Sequence, residues 1–138
     1  MKLHVVLNDR ILAASPRAKT PIRSLAARRG DNLTIDVSFS MDGRIGPLPA
    51  GAVVVLAAYA GPGSRTPLVY ASSPTVVGRG INTRYRFTGV NFALAPLSSE
   101  FASRRVVPLV FEVQVRVAYS IFTTAPVTLN VSQSAQYP

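Results

Sequence analysis

Few side chains in this 138-residue chain could support chemistry, and they lie far apart in the sequence. His4 is the only histidine and there is no cysteine, so a metal site built from imidazoles and thiolates lacks ligands. The same shortage removes the usual nucleophile–base pairs of hydrolases. We expect His4 to be a core or surface imidazole, and we expect no metal, no cofactor and no catalytic residue.

Other motifs that could carry chemistry are equally incomplete. The five acidic residues after residue 30 stand apart, at predicted turns or on polar strand faces, so no carboxylate pair for glycoside hydrolysis is indicated. Residues 78–80, Gly-Arg-Gly, lack the third glycine and the helix of a phosphate-binding loop. The adhesion-like tripeptide at residues 29–31 stands at the entry to a strand. These patterns predict a protein that is not an enzyme.

Positive charge is the chemical feature that does stand out. The net charge is +9, and the first thirty residues hold seven basic residues against Asp9 alone, or +6 of that total. Segregated basic charge favours nucleic acid, acidic surfaces or acidic partner subunits, although a solvated basic segment has the same composition. The arginines and the lysine that we expect to contact a partner are Arg10, Arg17, Lys19, Arg23, Arg28, Arg29, Arg79, Arg84, Arg86, Arg104 and Arg105.

The elements that must position these residues are predicted to be β-strands. Every second side chain is apolar in residues 33–39. The alternation recurs from residue 111 in the long strand predicted over 106–120, and again in 127–132. Residues 52–59 are apolar throughout, which predicts a strand covered on both faces or at a subunit contact. Eleven prolines and nine glycines suit short strands joined by turns. The predicted fold is all-β, a single antiparallel β-sandwich of the immunoglobulin-like or jelly-roll type.

The predicted sandwich covers residues 29–132. Residues 1–28 are interpreted as an extended basic N-terminal arm or a first strand, and residues 133–138 as a polar C-terminal tail. If residues 1–28 form an arm, deleting them should weaken assembly and leave the sandwich folded. No signal peptide or membrane span is apparent, since the longest apolar stretch is about half of the roughly 20 residues that a span requires.

Two short segments depart from the strand pattern. Residues 24–29 are compatible with a helical turn, and residues 96–103 predict a short helix with Ser98 or Ser99 as its N-cap. Asp42-Gly43 predicts a tight turn, because glycine adopts left-handed backbone angles at little cost.

Residues 28–59 resemble the N-terminal immunoglobulin-like domain of tailed-phage baseplate upper proteins. The resemblance lies in a Gly30-Asp31 turn before an alternating strand, then Asp42-Gly43, Leu48-Pro49 and a strand that starts with Ala52-Val53. It covers under a quarter of the chain and carries over no functional residue. In that family further segments lead to receptor-binding parts, whereas the sequence here stops at Pro138.

The resemblance and the composition together suggest a non-enzymatic phage virion protein, either a tail or baseplate component or a head decoration. Such a protein would act through contacts between its own copies and with other virion proteins, without membrane or cofactor. It would be assembled in the host cytoplasm and remain in the virion. The alternative is a module that binds nucleic acid or acidic glycans through the basic N-terminal region. A carbohydrate-binding sandwich is a third interpretation, weakened by the absence of tryptophan.

Overall fold

The computed structural model describes residues 1–18, 20–92 and 94–133. It is an all-β sandwich in which two mixed sheets pack against each other. The strands are β1 (Lys2–Val6), β2 (Ile11–Ala13), β3 (Ser24–Arg28), β4 (Asn32–Met41), β5 (Arg44–Ile45), β6 (Val53–Tyr59), β7 (Val69–Ser72), β8 (Thr75–Val77), β9 (Arg84–Asn91), β10 (Val106–Val117), β11 (Ser120–Thr123) and β12 (Val127–Ser132).

Each sheet is organised around one long strand. In the first sheet the order is β2-β1-β4-β9-β8, and β5 also pairs with β4. In the second the order is β3-β12-β10-β6-β7, and β11 also pairs with β10. Within the described residues, eight ladders are antiparallel and two, β1–β4 and β3–β12, are parallel. The prediction of an antiparallel sandwich did not include these two parallel ladders.

The core lies between the sheets and follows the predicted alternation. On β10, Phe111, Val113 and Val115 are buried, as are alternate residues of the other long strands. The pattern ends earlier than predicted, because Ala118 has a positive φ of 52° and the chain turns there. Tyr119 is therefore fully exposed, and β11 returns along β10 as a hairpin.

β1, β2 and β3, three strands within residues 1–28, belong to the sandwich, so the first-strand alternative describes this segment better than an extended arm does. The parallel ladder of β1 with β4 pairs Leu3 with Val37 and Val5 with Phe39, and all four side chains are buried. β3 pairs with β12, so the predicted helical turn at residues 24–29 is instead mostly an edge strand. The physical reason is burial, because the apolar side chains of β1 fill the core beside β4.

The short helix and the tight turn are found where the pattern placed them. The helix α1 covers Ser98–Ser103 and follows a 3₁₀ turn at Ala95–Leu97. Its N-cap is Leu97, which makes no side-chain capping bond, so the expected cap by Ser98 or Ser99 is wrong. Asp42 and Gly43 both have left-handed φ angles, 54° and 76°, which suits a two-residue hairpin turn between β4 and β5.

From Val54 to Ala58, the apolar strand β6 is buried on both faces within this chain. Leu56 points into the core, while Val55 and Ala57 are buried although they lie on the outer face of the sheet. Ala57 is flanked by Glu112 of β10 and Tyr70 of β7, whose longer side chains stand beside a small one. A partner subunit is therefore not needed to explain why β6 lacks a polar face.

Candidate functional site

The polar side chains expected to be isolated meet on the outer face of the first sheet. The register pairs His4 with Ser38 in adjacent parallel strands. The imidazole Nδ1 lies 2.7 Å from the Ser38 Oγ and Nε2 lies 3.0 Å from the Ser40 Oγ. His4 is fully buried and Ser38 is 3% exposed. The sequence did not indicate that His4 stands beside two serine hydroxyl groups.

This His4–Ser38 pair is built as a structural contact. Both ring nitrogens of the neutral imidazole are satisfied, because each faces a hydroxyl group that can donate or accept. A nucleophile must reach its substrate, and here the Ser38 hydroxyl is enclosed together with its potential base. The geometry therefore makes His4 a buried structural imidazole on the outer face of the sheet, within the expectation of a core or surface imidazole.

Burial changes the charge state that His4 favours. The pKa of His4 is lowered from its usual value, first by removal from water and second by the positive charge of Arg84. Arg84 and Ser38 face the same side of their sheet on the neighbouring strands β9 and β4, which explains the proximity of the guanidinium. The neutral imidazole is thus the form that fits the folded protein.

Acidification is expected to destabilise the fold in the pH range in which a histidine of the unfolded chain takes up a proton. Because the pKa of His4 is lowered in the folded protein, the unfolded state binds more protons below about pH 6.5. The contribution of neutral His4 is complete above that pH and is lost as the pH falls towards the lowered pKa. The urea concentration at the unfolding midpoint should therefore decrease as the pH is lowered from about 7.5 to about 5.

The His4→Asn variant is the control for this pH dependence. Asparagine keeps a polar side chain beside the two serines and does not titrate, so its midpoint should stay level over the same range. An equal slope in both proteins would assign the pH dependence to other groups.

Asp36 is also engaged, although it was expected on a solvated strand face. The Arg86 Nε and Nη2 donate to Oδ1 and Oδ2 of Asp36 at 2.8 and 3.1 Å, a bidentate pair. Asp36 is 8% exposed, and its hydrogen bond with Arg86 holds the pKa of the carboxyl group below its usual value. Arg86 is therefore occupied within the chain, which weakens it as a partner contact.

Arg29 is also occupied by contacts within the chain. It is 3% exposed, and its guanidinium stacks over the Phe101 ring at 4.5 Å. It donates to the Ser98 Oγ at 3.3 Å and to the Gln133 Oε1 at 3.2 Å. Arg29 thus ties α1 to the start of the predicted C-terminal tail, and the tripeptide at residues 29–31 cannot present it to a receptor.

The other predicted contact residues are spread over the surface. Arg84 is partly buried, and its Nη1 donates to the carbonyl of Thr83 at 3.2 Å. Among the remaining predicted contact residues, the exposed ones are Arg10, Arg17, Arg23, Arg28, Arg79, Arg104 and Arg105, and the Arg10 guanidinium also lies 6.0 Å over the Phe122 ring. Arg28 lies two strands away from the start of β10, which Arg104 and Arg105 precede, because Arg28 pairs with Ser132 and Ser132 pairs with Val106. Lys19 and residues 134–138 of the predicted tail lie outside the described residues.

A second surface, which the sequence did not single out, is the side of the sandwich where β7 and β8 are edge strands. Neither strand contains a charged residue. Tyr70 on β7 is 61% exposed and Val76 on β8 is 56% exposed. Val76 pairs with the inward-facing Tyr85, and together with Val53 they line a cleft of about 200 Å³. We call β7, β8 and this cleft the open edge.

The opposite edge strands are protected. On the free edge of β2, the backbone carbonyl of Leu12 accepts a hydrogen bond from the Ile22 amide at 2.7 Å. On β3 the exposed Arg28 ends the strand and Arg23 precedes it. Charged residues and covering segments are common ways to prevent edge-to-edge pairing. The contrast makes the open edge the surface best suited to pair with another chain.

Comparison with known proteins does not assign the chain to a family. No protein-family model matches the chain, and a search of curated proteins found no related sequence. Over the described ranges, no cluster of three or more potential metal ligands occurs. None of the helices described there is long and apolar enough to cross a membrane. The resemblance to baseplate domains therefore rests on the residues that suggested it.

Proposed function

We propose that the chain is a non-enzymatic phage virion structural protein, a tail or baseplate component or a head decoration, that acts through subunit–subunit contacts. The observation that carries the proposal is the open edge. An edge strand presents unpaired backbone donors and acceptors, and exposed apolar side chains beside it favour pairing with another chain. The same virion interpretation follows from the resemblance in residues 28–59, which lies outside β7 and β8 and shares only the β6 side of the cleft with the open edge.

The basic surface has a consistent role in this proposal. The exposed arginines leave a strongly positive protein, which favours acidic neighbouring subunits and steers their association. Because Arg29 and Arg86 are held by contacts within the chain, the remaining exposed arginines are the ones we assign to such contacts.

The variant Val76→Lys tests the open edge. A lysine there places an unpaired charge in the proposed contact, so we expect the dissociation constant for self-association to rise about tenfold or more. Ile121→Lys is the matched control, because Ile121 is also 56% exposed and lies on β11, away from the open edge. Size-exclusion chromatography with light scattering measures both. Equal dissociation constants for the two variants would contradict this contact.

The second candidate function is polyanion binding, and Arg28, Arg104 and Arg105 favour it. None of the three forms an ion pair with any residue described here, and two strand spacings separate Arg28 from the start of β10, about 10 Å. If these three arginines neutralised three phosphates, duplex DNA affinity would fall about 40-fold between roughly 50 and 200 mM salt.

A further inference from the structure

A groove on the outer face of the first sheet combines apolar and cationic side chains. Its volume is about 360 Å³, and its lining includes Pro16, Arg17, Ile45, Ile81 and Arg84. Ile45 pairs with Ser40, and Arg84 alternates with the buried Tyr85, so both face away from the core. The groove therefore lies on the same face of the sheet as His4 and the two serines.

The wall that carries Ile81 is conformationally fixed. Gly78 has a φ of 78°, and a Cβ atom at that position would lie 2.3 Å from the Asn82 carbonyl oxygen, which only glycine avoids. The Thr83 Oγ1 donates to the Gly80 carbonyl at 2.7 Å and closes the turn. Ile81 lies in this turn and is 68% exposed beside the groove.

The charge of the groove is uncompensated. Arg17 and Arg84 form no ion pair with any described residue, and no acidic residue lines the groove. A larger cleft of about 690 Å³ shares Ile45 but includes both Asp42 and Arg44, so its charges can offset each other. Two guanidinium groups beside apolar surface suit a ligand that joins a carboxylate to an aliphatic group.

We propose that this groove binds a segment of a partner protein that presents a carboxylate next to an aliphatic side chain. The carboxylate lies against Arg17 and Arg84, and the aliphatic side chain packs on Ile45 and Ile81. The volume is near the lower end of the roughly 300–1,000 Å³ typical of ligand sites, which suits one or two side chains. The inference narrows the contact proposed for the exposed Arg17 to a partner carboxylate, and it does not depend on the open edge, which uses other residues.

Two capped tripeptides test the groove, acetyl-Leu-Asp-Leu-amide and its neutral counterpart acetyl-Leu-Asn-Leu-amide. Amide NMR shifts of Ile81 and Asn82 in the full chain report binding. We expect the acidic peptide to bind about tenfold or more tightly than the neutral one, since a charge-assisted hydrogen bond is lost in the second. Arg17→Gln and Arg84→Gln should each weaken the acidic peptide about tenfold, and Arg104→Gln, at a distant exposed arginine, should not.

Three results would overturn the proposal. They are the absence of any shift with the acidic peptide, equal affinity for both peptides, and Arg17→Gln and Arg84→Gln proteins that bind as Arg104→Gln does. Because Arg17 is exposed, we expect the Arg17→Gln protein to fold. It therefore tests the proposal by itself if Arg84→Gln does not fold. Ile81→Ser should also weaken binding while leaving the solution mass of the protein unchanged, which separates this site from the open edge.

Discussion

Replacement of Val115 by aspartate is expected to unfold the domain or to lower its free energy of unfolding by several kcal/mol. Val115 is fully buried on β10, between Val54 of β6 and Phe122 of β11. A carboxylate there has no cationic partner and loses its hydration, a cost that approaches the 5–15 kcal/mol that stabilises a typical domain. Urea unfolding followed by circular dichroism measures the change.

Val106→Asp is the control, because it makes the same substitution on the same strand at a side chain that is 45% exposed. Its effect should stay within about 1 kcal/mol, as for most surface substitutions. Equal unfolding midpoints for the two variants would show that the inward face of β10 has been assigned to the wrong set of residues.

Deletion of residues 1–28 is expected to abolish the folded state, contrary to the expectation for an arm. The deletion removes β1, β2 and β3, and with them the buried Leu3, Val5, Leu7 and Leu12. Since truncating one buried leucine already costs about 2–5 kcal/mol, losing four large core side chains exceeds the stability of a typical domain. The β-sheet circular dichroism signal and the cooperative melting transition should both disappear.

A triple variant distinguishes the effect of losing the N-terminal strands from the effect of losing their basic charge. Arg10→Gln, Arg17→Gln and Arg23→Gln together remove three of the basic residues in this segment, and all three side chains are exposed. This variant should fold as the parent does. A deletion variant that keeps the β-sheet signal and melts cooperatively would support an independent arm and contradict the core role of β1.

Strands with one buried face could be predicted from the sequence, because apolar and polar side chains alternate along them. β4, β12 and the second half of β10 follow this rule, because one side of each packs into the core and the other carries polar residues. The tight turn at Asp42-Gly43 could also be predicted, because this residue pair is typical of hairpin turns. The end of β10 was placed too late, since the positive φ of Ala118 has no sequence signal in an alternating run.

Long-range pairing could not be predicted in the same way. β1 is only five residues long, and nothing local shows that it lies parallel to β4. The contact of His4 with Ser38 and the bidentate pair of Asp36 with Arg86 depend on that register and on the position of β9. The alternation of β4 places Asp36, Ser38 and Ser40 on one polar face, but their partners come from strands about 35 to 50 residues away in sequence.

The candidate contact surface was missed for a related reason. Tyr70 and Val76 belong to ordinary short strands, and only the order of the strands shows that both lie at an edge. Burial within the chain also changed the meaning of the arginines, since Arg29 stacks on Phe101 and Arg86 binds Asp36. Charge counts alone cannot separate such structural arginines from those that are free to meet a partner.

The most direct test of the assembly role is the solution mass of the purified chain at moderate salt, with and without short duplex DNA. Light scattering after size exclusion gives the number of subunits without reference to shape. We predict a defined oligomer with the same mass when DNA is present. A monomer that shifts into a DNA complex would contradict the proposal of a virion building block and favour the polyanion-binding module.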